Sequence, residues 1–72
     1  MMTQTARTLP DPLDVFRERC EAQAYLVEAG AIAFLDAVDN LQTNAEFDGL
    51  VEKFGQQIIQ QIMAAAFQGA AR

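Results

Sequence analysis

The chain has no histidine, no tryptophan, a single cysteine and only five basic residues. Each shortage closes off a class of chemistry. One cysteine cannot form an intrachain disulfide, and without any His it cannot build a tetrahedral zinc site. Cys20 also has no imidazole to take its proton, so the usual Cys–His nucleophile is missing. The basic residues are Arg7, Arg17, Arg19, Lys53 and Arg72, and none lies between Cys20 and Glu52, where seven acids fall. A phosphate backbone needs a basic face, and an anionic membrane surface needs the same. Neither nucleic acid nor membrane is therefore an expected partner. The opening stretch MMTQTARTLPDP holds one Arg and no apolar run, so it does not read as a secretory signal. Together with a free thiol, this points to a cytoplasmic protein.

What is present favours helix. Hydrophobic residues make up 51% of the 72 residues, and thirteen of them are alanine. Abundant Ala, Gln, Glu and Leu, with few β-branched runs, predict an all-α fold. The larger apolar residues suffice for a core, so the composition is not that of a disordered chain. The length allows one domain at most and leaves it marginally stable. With disulfides and zinc removed, regular helix packing or self-association must supply the rest. The expected fold is a compact bundle of three or four short helices. Residues 1–10 are polar and without periodicity, and read as a flexible arm; residues 11–72 read as a single helical domain.

Helix signals follow along the chain. Asp11 suits an N-cap, Pro12 the first helical position and Asp14 the first turn. Leu13, Phe16, Cys20, Ala24 and Val27 form one helical stripe, and Gly30 reads as its stop. A second helix is expected near Ala33, with Phe34, Leu35, Val38 and Leu41 as its apolar face and Ile32 filling the core from the turn. A helix-turn-helix DNA reader is excluded here, because the second helix would present Asp36 and Asp39 to the groove. The middle is open to two readings. TNAE (Thr43 to Glu46) has the form of a capping box that starts a new helix, with Phe47, Leu50, Val51 and Phe54 as its stripe. Alternatively the second helix runs on to Asp48 and ends at Gly49, which leaves Phe47 on a polar face.

The stretch GQQIIQQIMAAAFQGAA, Gly55 to Ala71, carries no charge. Five glutamines gather on one side of its wheel, and Ile58, Ile59, Ile62, Met63, Ala66 and Phe67 fill the other. It is amphipathic, not a simple membrane span. Its apolar arc is wide enough to touch two neighbours, one in this chain and one in a second copy. Ile58, Ile59, Ile62, Met63 and Phe67 are accordingly candidates for a homodimer interface.

Few residues invite chemistry. Cys20 lies on the apolar stripe beside acids that raise a thiol pKa, so it reads as core. Asp36 and Asp39 share a helix side but lack a third metal ligand at a fixed spacing, so no metal and no cofactor is expected. With no activated nucleophile or phosphate-binding loop, the chain does not read as an enzyme. Tyr25 stands among Glu18, Glu21 and Glu28, beside a smaller apolar patch of Val15, Ala22 and Leu26. Either another helix of the chain covers that patch, or Val15, Tyr25 and Leu26 form a protein-docking surface with an aromatic anchor.

The segments DPLDVFRERCEAQAYL, AVDNLQ, GLV and GQQIIQQIMAAAF span most of the chain. Together they resemble short uncharacterised proteins of alphaproteobacterial genomes, some of them in prophage or mobile-element regions. The resemblance implies a bacterial or phage cytosolic protein and carries over no catalytic residue. The expected function is protein–protein binding with self-association. The alternative is an inhibitor of the anti-CRISPR or anti-restriction kind, with Asp36, Asp39, Glu46 and Glu52 imitating nucleic acid in a host enzyme's site.

Overall fold

The computed structural model describes residues 11–70, with side chains as far as residue 68. The arm expected at residues 1–10 lies outside this range, as do residues 71 and 72. Among the described residues the chain forms four helices and no strand: α1 (Pro12–Glu28), α2 (Phe34–Phe47), α3 (Leu50–Phe54) and α4 (Gln56–Ala70). The all-α expectation holds.

α1 begins as its sequence dictates. Asp11 is extended, at φ −60° and ψ 129°, and its carboxylate accepts the Leu13 N–H at 2.9 Å. This satisfies one of the orphan donors of the first turn. Pro12 follows, where a missing N–H costs nothing. Phe16, Cys20 and Ala24 are buried, while Leu13 and Val27 are half-buried at the two ends of the same stripe. Gly30, at φ +82°, turns the chain out of the helix, and the Ala31 N–H closes back on the Leu26 carbonyl at 2.8 Å. Ile32 is half-buried in the connection.

α2 follows the second of the two readings of its end and departs from expectation in its inward face. TNAE is not a helix start: Thr43 to Glu46 lie inside α2, which ends at Phe47. The Asp48 N–H donates to the Asn44 carbonyl at 2.9 Å, and the Gly49 N–H to the Glu46 carbonyl at 3.1 Å. Gly49 sits at φ +79°, a left-handed conformation that glycine adopts without steric penalty. Ending the helix there removes the cost of a glycine in a helix interior and confines α3 to five residues. The consequence is that Phe47 is 89% exposed. The inward face is also different. The buried residues are Ala37, Leu41 and Ala45, whereas Phe34 is 50% and Leu35 72% exposed. Small residues at 37 and 45 let α2 approach its neighbours closely, and the larger pair at its start is left at the edge.

One core joins the helices. Phe16, Cys20, Leu41, Ala45, Leu50, Ile59 and Met63 form it, and Leu13, Val38, Val51, Phe54, Ile62, Ala66 and Phe67 pack around it. Full burial of side chains such as Leu41 and Ile59 contributes about 1.5–3 kcal/mol each. α1 packs on both α2 and α4, and α3 bridges α2 and α4. Two contacts fix the direction of α4 against α2. Gln42 meets Gln56, and Phe34 meets Phe67, so the two helices run antiparallel.

Candidate interaction surface

The groups that chemistry would need are withdrawn or scattered. Cys20 is wholly buried. Burial pushes its thiol from 9.0 up to about 11; the Glu21 charge adds to this and Arg17 opposes it. Such a thiol stays protonated at neutral pH and is a poor nucleophile. Among the described residues, no three His, Cys, Asp or Glu side chains gather into a group that could hold a metal ion, and no helix is long and apolar enough to cross a membrane. Among the described residues, open grooves include the following. One, of about 250 Å³, lies between α1 and α4 and is lined by Arg17, Glu21, Gln61, Ile62, Ala65 and Ala66. The other, of about 200 Å³, is lined by Pro12, Val15, Phe16, Arg19, Asp48 and Leu50. Both are smaller than the cavities that usually enclose small ligands.

The candidate interface residues of α4 divide. Ile59 is wholly buried and Met63 nearly so, and both belong to the intrachain core. They are therefore not available to a second copy. The wide apolar arc does touch more than one neighbour, but these, α1, α2 and α3, belong to the same chain. Ile62 and Phe67 are half-buried against the same core. Ile58 stays 39% exposed.

The Tyr25 patch also divides. Tyr25 is 68% exposed on the outer side of α1, and Leu26 lies about 100° around the helix from it and is half-buried. Val15 is 36% exposed and belongs to the groove beside Leu50.

Asp36, Asp39 and Glu46 are exposed on α2, and Glu52 is exposed on α3. The three on α2 fall within an arc of about 80°. The Glu46 carboxylate accepts from the Gln42 amide at 3.0 Å. The described basic residues are engaged elsewhere: Arg17 with Asp14, Arg19 with Asp48 at 3.3 Å, and Lys53 over the Phe54 ring at 5.6 Å. Among the described residues, no basic side chain pairs with these four acids.

Two contacts were invisible to sequence reasoning. Gln42 and Gln56 exchange amide hydrogen bonds of 2.8 Å and 2.9 Å. Phe34 meets Phe67 edge to face, with ring centroids 5.1 Å apart and an 85° interplanar angle. Both join residues far apart in the chain, and no local pattern announces them. The exposure of Phe47 did have a signal, since Gly49 as a helix stop places it outside. No protein-family model, curated protein or solved structure matches the chain.

Proposed function

We propose that the protein is a small, acidic, non-enzymatic cytoplasmic protein that works by binding other protein chains and that self-associates as a homodimer. The supporting observation is the balance of large apolar side chains. Phe16, Leu41, Leu50, Ile59 and Met63 are buried, while Val15, Tyr25, Phe34, Leu35, Phe47 and Ile58 are exposed. Single exposed apolar residues are ordinary. A domain with so few large residues inside and so many outside gains stability when another chain covers some of them. Melting followed over a range of concentrations tests this, since a dimer's melting temperature must rise with concentration. A concentration-independent melting point and a monomer by light scattering at high micromolar concentration reject self-association.

A second reading rests on the α2 acids. Asp36, Asp39 and Glu46 share one exposed arc without a paired base, the arrangement that a nucleic-acid mimic of the phage or mobile-element kind requires. Such an inhibitor would hold a basic groove of a nucleic-acid-binding enzyme, and its binding would weaken steeply with salt. Replacing Asp36, Asp39, Glu46 and Glu52 by their amides should then abolish inhibition of a nuclease target while leaving the fold intact. Inhibition that survives those replacements rejects mimicry.

A further inference from the structure

We draw no further inference here: the strongest candidate, the outer face of α2 on which the exposed Leu35 lies beside Asp39 and Glu46, is a mixed apolar and acidic surface patch, and nothing in the structure shows what covers it.

Discussion

Helices α1 and α2 bury residues at the same spacing and bury different kinds of residue. α1 turns in Phe16, Cys20 and Ala24; α2 turns in Ala37, Leu41 and Ala45. Each set is four apart, one stripe of an α-helix. On α1 the stripe holds Phe16 and Cys20 with one alanine, and Tyr25 and Val15 stay outside. On α2 a lone leucine is flanked by two alanines, while Phe34, Leu35 and Phe47 stand at least half exposed. Two helices of one small bundle thus follow one periodicity, and α2 takes the smaller residues inward. The difference teaches that inward faces are selected by fit between helices as much as by hydrophobicity. A helix that packs on three others at once can present small residues and still be well buried. What it leaves outside, Phe34, Leu35 and Phe47, stays exposed.

Truncation should separate the two sides of α2 most sharply. Leu41→Ala should cost about 2–5 kcal/mol, the range for emptying a packed leucine site, read as a lower midpoint in urea denaturation. Leu35→Ala, the same chemical change at an exposed site, should stay within about 0.5 kcal/mol for the monomer. Equal effects would undo the contrast. Enlarging a small residue gives the next largest effect. Ala45→Leu should cost about 1–3 kcal/mol by overpacking, whereas Ala22→Leu, exposed on α1, should be nearly neutral. A neutral Ala45→Leu would remove close approach as the reason alanine faces in.

Cys20 sharpens the same contrast from the α1 side. Its thiol is raised to about 11 from 9.0, so the unfolded chain loses this proton first. The contribution to stability is therefore level below about 9 and falls as pH rises from 9.0 towards about 11. Denaturation midpoints of wild type and Cys20→Ala across that window should converge or cross in the alkaline limb. Parallel curves would contradict burial of the neutral thiol. A thiol reagent should label the unfolded protein and spare the native one. Gly49→Ala should cost about 1–2 kcal/mol, because an L side chain is strained at φ +79°. The smallest effect belongs to Phe47→Ser, expected within about 0.5 kcal/mol in thermal melting. A large loss there would mean that Phe47 is covered.

α1 was legible almost to the residue because its signals are local. Asp11, Pro12 and Gly30 act within one turn of the helix ends, and the stripe through Phe16, Cys20 and Ala24 is the face that packs. α2 was legible in existence but not in orientation or end. The Thr43–Glu46 pattern is a local signal that competed with Gly49 and lost, because continuing the helix to a stop there keeps Gly49 out of a helix interior. Tyr25 and Val15 are both exposed on α1, Val15 along a groove beside Leu50, and Leu26 is half-buried. The α4 arc was read correctly as wide and uncharged. Its occupants were misread at Ile59 and Met63, since width does not reveal whether the second neighbour belongs to the same chain.

The sequence by itself determined that the chain is helical, where α1 begins and ends, that no His-based chemistry is available, and that α4 is amide and apolar without charge. These follow from residue type, from caps acting over a few residues, and from composition, none of which needs a neighbour in space. Tertiary structure alone decided that alanines rather than phenylalanine line the inside of α2, that Ile59 and Met63 close the intrachain core, and that Gln42 finds Gln56. Those outcomes depend on which helices meet and how closely, and burial is a property of pairs far apart in the chain that no single helix encodes.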